Sequence, residues 1–220
     1  GDDITDRELA DFIVADLRLL MVSKVTIHNK RYITEPHKRP STATTGIPAL
    51  IDLSHAITSG MTTYPGLPAP VISDHLSRET SRATYAPGTE FQIGRIDMVA
   101  NTGTYLDTPF HRYPEGYDLA GLPLERVVGV PGVLLDTSAS SIDADAFADI
   151  DTWNRAVVIR TGWSRNFGTD QYLGNHPYVT ADGARRLADG GAAMVLIDSA
   201  NIDSTQDGNR PAHSILLDAG

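Results

Sequence analysis

Cysteine is absent from the chain. Its absence removes disulfides, thiolate nucleophiles and cysteine-ligated zinc together, so any metal must be held by histidine or carboxylate side chains. The redox compartment stays open, because a cysteine-free chain is stable in either environment. No run of about 18 apolar residues occurs, which excludes a membrane-spanning segment. The opening GDDITDRELADF is acidic where a secretory leader would be basic and then apolar, and this reads as a cytoplasmic protein. Basic residues are few and scattered: 18 Lys and Arg stand against 28 Asp and Glu, for a formal net charge of -10. A surface that binds nucleic acid needs clustered cations, so that class of partner is set aside.

What is present is 220 residues without internal repeat or low-complexity tract, enough for one globular domain with an appendage. Thr5 and Glu8 have the spacing of a capping box, and Leu9, Phe12, Ile13, Leu17 and Leu20 recur at helical intervals, which predicts a helix over Thr5 to Met21. Val25 to Ile33 alternates like a strand, and Glu35 to Gly46 is a polar linker rich in Pro and Thr. Residues 1–48 therefore read as a helical arm with a linker, packed either on its own chain or on a neighbouring subunit, and 49–220 as the body.

The body opens with a predicted strand, Ala49 to Ile57, then a shaped Gly/Pro loop, GMTTYPGLPAP. Alternation through Phe91, Ile93, Ile96 and Met98 predicts a strand that breaks at NTGTYLDTPFH, Asn101 to His111. Val130 to Thr137 and Arg155 to Trp163 are continuous apolar runs of the kind buried on both faces. Thr180 to Gly190 has a Thr cap and a glycine stop, and AAMVLIDSANID follows as a buried strand. Strand, helix, strand in that order predicts a βαβ unit and an α/β core.

Two polar stretches could carry chemistry. Asp107 and His111 stand four apart around Pro109, which forbids a regular helix and places both on an ordered turn. On spacing alone, turn capping by Asp107 with a surface role for His111 is the commoner explanation of such a pair. Further on, Asp198, Ser199 and Asp203 close a predicted strand and His213 opens the next apolar segment; ligands of α/β sheets bind at strand carboxyl ends. His55 and His176 are lone histidines, a type more often structural than functional. Core packing is an adequate explanation for Phe110.

Five blocks, IDLSHAITSGMTTYPG, NTGTYLDTPFH, GYDLAGLPLERVVG, RTGWSRNFGTDQYLGNHPYVT and LIDSANIDSTQDGNRPAHSILL, resemble in order and spacing the cyclase family that contains bacterial kynurenine formamidase and isatin hydrolase. The resemblance runs from Ala49 to Gly220. It implies an α/β fold of the swivelling β/β/α type, homodimers or homotetramers, and hydrolysis of small amides or lactams with zinc or manganese. The family motif HxGTHxDxPxH binds metal through its first two histidines and its Asp, and its last histidine handles protons. Gly103, Thr104, Asp107, Pro109 and His111 match it, whereas Asn101 and Tyr105 replace the two histidines. His213 matches a later family histidine of the metal site, and the family's glutamate ligand falls a few residues beyond Gly220. On the family pattern Tyr64, Trp163, Phe110 and Tyr172 are candidates for lining the pocket of a planar substrate, with core packing as the alternative for Trp163 and Phe110, and His55 and His176 are further candidates for binding it.

The replacements leave three schemes. In one, Asp107 and His213 hold a weakly bound zinc or manganese while His111 moves a proton, in amide or lactam hydrolysis or the reverse cyclisation. In a second, the metal is absent and His111, held by Asp107, acts as base in cyclisation or isomerisation, with Tyr105 and Asn101 donating hydrogen bonds to a developing oxyanion. The third is a pseudoenzyme that binds a small molecule or serves assembly. In each, the partner is a small molecule or another copy of the chain.

Overall fold

The computed structural model describes residues 18–20 and 51–220, and these fall into two compact units: 18–20 with 106–220, and 51–105. The predicted strand at Val25 to Ile33 and the Pro/Thr linker lie outside the described residues, as does most of the predicted N-terminal helix. Where that helix is described, it is not helical: Arg18–Leu20 form strand β1. Backbone pairing to an open sheet edge prevails there over helical periodicity, because β1 lies antiparallel on its own chain's Val128–Asp136 strand, with Leu19 opposite Val130.

In the smaller unit, Val71–Leu76 (β2) and Ile93–Asp97 (β3) pair antiparallel, with helix α1, Arg78–Arg82, between them. Ser77 caps α1, and Arg82 pairs with Glu90. The alternating segment near Phe91 is thus a strand, as its pattern predicts. Ile51 to Ile57 is not: the segment takes no regular structure, and the Asp52 carboxylate accepts from the Ser54 N–H in a local turn that competes with strand pairing.

The larger unit carries a four-stranded sheet in the order β1-β4-β6-β8, where β4 is Val128–Asp136, β6 is Ala156–Arg160 and β8 is Met194–Ile197. The last three run parallel. A two-stranded parallel piece, β5 (Ser141–Ile142) with β7 (Tyr178–Val179), lies between them in sequence. The apolar run at Arg155 to Trp163 supplies the central strand β6, whose Val157 and Ile159 are fully buried. Helix α2, Ala181–Asp189, follows Thr180, whose hydroxyl accepts from the Gly183 N–H. It buries Gly183, Ala184 and Leu187 and turns Asp182 and Arg185 outward. Gly183 is dictated by contact, since a Cβ there would stand 2.5 Å from the Ile142 carbonyl oxygen. Phe147, Ile142, Val157, Ile159, Val179 and Leu187 form the main core. The predicted βαβ unit and α/β class are both present.

Helix α3, Pro211–Asp218, leaves the loop that follows β8 and packs Ala212 into that core. Among the described residues no helix is long and apolar enough to cross a membrane.

Candidate functional site

Asp107 sits between two anchors. Leu106 packs against the buried cluster of Val130, Ala156 and Met194, and on the other side Thr108 and Pro109 are buried. Pro109 then opens a single 3-10 turn, Pro109–His111, in which the His111 N–H donates to the Thr108 carbonyl at 2.8 Å. The turn brings the ring of His111 back over Asp107, Nδ1 to Oδ1 at 3.4 Å. Gly116 lets the loop close beneath it, because a Cβ there would meet Pro109 at 2.6 Å.

The residues that follow each histidine tie the two together. Arg112 donates to the Ser214 hydroxyl at 3.3 Å, and the Tyr113 hydroxyl donates to the Ser214 carbonyl at 2.9 Å. His213 on α3 is thereby held beside the 3-10 turn. Its Nε2 lies 3.7 Å from Asp107 Oδ2, and the two imidazole rings stand 5.8 Å apart between centroids. Asp107 is thus a carboxylate between two histidines. Side-chain exposure separates them: His213 is 16% exposed and His111 43%.

Behind His213 lies Asp203, which is wholly buried. Its carboxylate accepts from the Ala212 N–H at 2.6 Å, the His213 N–H at 3.0 Å and the His213 Nδ1 at 2.6 Å. Burial opposes ionisation of Asp203, yet these hydrogen bonds hold its carboxyl below the ordinary carboxylate range. Burial likewise opposes charge on His213, but the nearby Asp107 carboxylate and the hydrogen-bonded Asp203 carboxylate prevail and raise it from 6.5 to about 9. The sign for stability follows. The folded chain binds this proton more tightly than the unfolded chain, so the contribution is full below pH 6.5 and is lost as pH rises through about 9. In thermal unfolding of chelator-treated protein, the melting temperature of the wild type should therefore fall across that window relative to His213→Gln; parallel pH profiles for the two would contradict the assignment.

The group can hold a cation. Asp107, His111 and His213 each offer a donor atom within 4.8 Å of the others. Two ligands of one zinc-sized ion stand about 3 to 3.5 Å apart when each bond is about 2.1 Å. The Asp107–His111 separation of 3.4 Å falls in that range and the Asp107–His213 separation of 3.7 Å just beyond it, and both exceed ordinary hydrogen-bond length. A tied Nδ1 with a forward-facing Nε2, as in His213, is also the usual arrangement of a metal-binding histidine.

The other predicted residues are distributed differently. His176 is buried, with Nδ1 3.0 Å from the Pro177 carbonyl and 3.1 Å from the Ser199 hydroxyl, and it is not one of the grouped donors. Trp163 follows Gly162, a left-handed residue with φ +71°, and donates its indole N–H to the Tyr172 carbonyl at 2.9 Å. Asp198 accepts from Thr161 and Gly162, which fixes the turn that presents Trp163. Phe110 is 56% exposed, so core packing is not its role: the 3-10 turn points it away while Pro109 takes the buried position. His55, Tyr64, Asn101 and Tyr105 belong to the smaller unit and are half-buried there. In that unit the His55 N–H donates to the Thr104 hydroxyl at 3.3 Å, and Gly103, at φ +67°, faces Ile57. The sequence places Asp203 among the acids that close β8 but carries no signal joining it to His213, since the contact depends on a ten-residue loop returning to its start.

The Cyclase family model matches residues 51–204. The chain belongs to that family. Over 173 residues it is 24% identical to the kynurenine formamidase of Salinibacter ruber, covering 78% of this chain and 79% of that one. A solved structure described as a potential metal-dependent hydrolase with cyclase activity superposes with a TM-score of 0.62 at 27% identity, covering 77% of each chain. Isatin hydrolase A from Labrenzia aggregata shares the fold, with a TM-score of 0.64 at 20% identity over 77% of each chain. The cyclase-family α/β fold implied by the motifs is therefore established for this chain.

Proposed function

We propose that this cyclase-family chain is an enzyme that hydrolyses a small cyclic or aromatic amide or lactam, or forms one in the reverse direction, with a weakly held zinc or manganese. The observation that carries the reading is the Asp107 carboxylate set between two imidazoles, one of them braced by a buried acid. The kynurenine formamidase and metal-dependent hydrolase likenesses support it.

Asp107 and His213 would hold the ion. His213 suits this role because Asp203 fixes its ring, whereas His111 is more exposed and suits proton exchange with substrate and solvent. When bound, such an ion polarises a carbonyl and acidifies water. His111, beside Asp107, takes a proton from the attacking water and returns it to the leaving nitrogen. Weak binding follows from the motif, in which Asn101 and Tyr105 stand where the family has two histidines; a neutral amide and a phenol with a pKa near 10 are poorer donors at neutral pH.

The test is turnover of an aryl formamide and of isatin by the full-length protein, with Zn2+ or Mn2+ and with a chelator. Hydrolysis that the chelator abolishes and metal restores is expected. Turnover indifferent to the chelator would point to His111 acting as a base without a metal, and folded, metal-loaded protein that turns over neither probe would remove the proposed substrate class.

A further inference from the structure

The N-terminus of α3 lacks a local cap. Arg210, which precedes it, has φ +49° and makes no side-chain capping bond, and Pro211 has no N–H to offer. The next two N–H groups, those of Ala212 and His213, both fall on Asp203, eight residues before Pro211 in sequence. The intervening loop is closed on itself: Asp207 N–H donates to Ser204 O, Arg210 N–H to Asp207 O, and the Arg210 guanidinium to Ser204 O at 2.9 Å. Asp203 itself is set by its own N–H, which donates to Asn201 Oδ1 at 2.9 Å. One oxygen, Oδ2, receives both the backbone N–H and the ring Nδ1 of His213.

We propose that Asp203 is the positioning residue of the site: by capping α3 and accepting from His213 Nδ1 through one carboxylate, it fixes the ring with Nε2 directed at Asp107. The inference rests on the metal-site reading above. A ring held from behind in this way loses no rotamer freedom when Nε2 takes a ligand, and the carboxylate makes Nε2 a stronger donor. The same acid also completes the N–H groups that burial would otherwise leave unpaired.

Asp203→Asn separates the two duties. Asn caps helices about as well as Asp, so its one oxygen can keep the Ala212 N–H while its NH2 group takes the place of Oδ2, the oxygen that accepts from His213. In Zn2+ competition against a chromophoric chelator, using chelator-treated full-length protein, Asp203→Asn is expected to bind about 10- to 100-fold more weakly than wild type. A folded Asp203→Asn that binds Zn2+ like wild type overturns the proposal. Should the variant fail to fold, proton NMR of the wild type decides: the His213 ring N–H, identified by its loss in His213→Gln, is expected far downfield and protected from exchange, and a rapidly exchanging one overturns the proposal. Wild type that binds no Zn2+ but shows the protected ring N–H would refute the metal reading and leave the positioning role standing.

Discussion

Replacing His111 by alanine is expected to lower kcat by about 10²- to 10⁴-fold, the usual worth of a positioned proton carrier. The imidazole lies on a turn whose geometry is set by Pro109 and by the Thr108 carbonyl, so the backbone does not depend on the ring. At 43% exposure the side chain contributes little packing, and the change in stability should stay within about 0.5 kcal/mol. Zn2+ affinity should change little, since Asp107 and His213 hold the ion in this account. Stopped-time assays on the aryl formamide, with metal content checked on the same sample, make the distinction. Full activity would remove His111 from the mechanism, and a loss of metal together with activity would make it a ligand instead.

Asp107→Asn should have the larger effect on binding. Asp107 is the carboxylate shared by both imidazoles, at 3.4 and 3.7 Å. The substitution keeps shape and removes charge, so one loss reaches three properties. Zn2+ affinity should fall by more than the about 100-fold that loss of an outer hydrogen-bond partner costs. Turnover should drop to background. In a pH titration of the His213 ring by NMR, its pKa should move down from about 9 toward 6.5, because burial then opposes the charge with Asp203 as the remaining named support. A variant with wild-type turnover would show that Asp107 is a turn cap and no more.

How legible these features are in sequence depends on the range of the interactions that make them. The βαβ unit is local pattern: the apolar run that becomes β6, the Thr180 cap and glycine stop of α2, and the short strand β8 each declare themselves within a dozen residues. Asp107 and His111 were likewise a local matter, four residues apart on one turn. Their union with His213 is legible only through motif resemblance, because no local rule relates residues more than a hundred positions apart. Arg18–Leu20 went the other way: a helical pattern sits in a strand because the edge of β4 offers unpaired backbone groups. Ile51 to Ile57 has strand composition, but a strand exists only where a neighbour pairs, and here an Asx turn intervenes. Phe110 shows the same limit for side chains, since a 3-10 turn decides which of two adjacent apolar residues faces inward, and it chose Pro109.

In the proposed site the Asp107 and His213 pair holds a divalent cation despite the asparagine and tyrosine in the family motif. Calorimetric titration of Zn2+ into the chelator-treated, full-length wild type and Asp107→Asn, without a His-tag, tests it most directly. One saturable site per wild-type chain, lost in Asp107→Asn, is expected. A folded wild type with no saturable site, or a site that survives unchanged in Asp107→Asn, would contradict it.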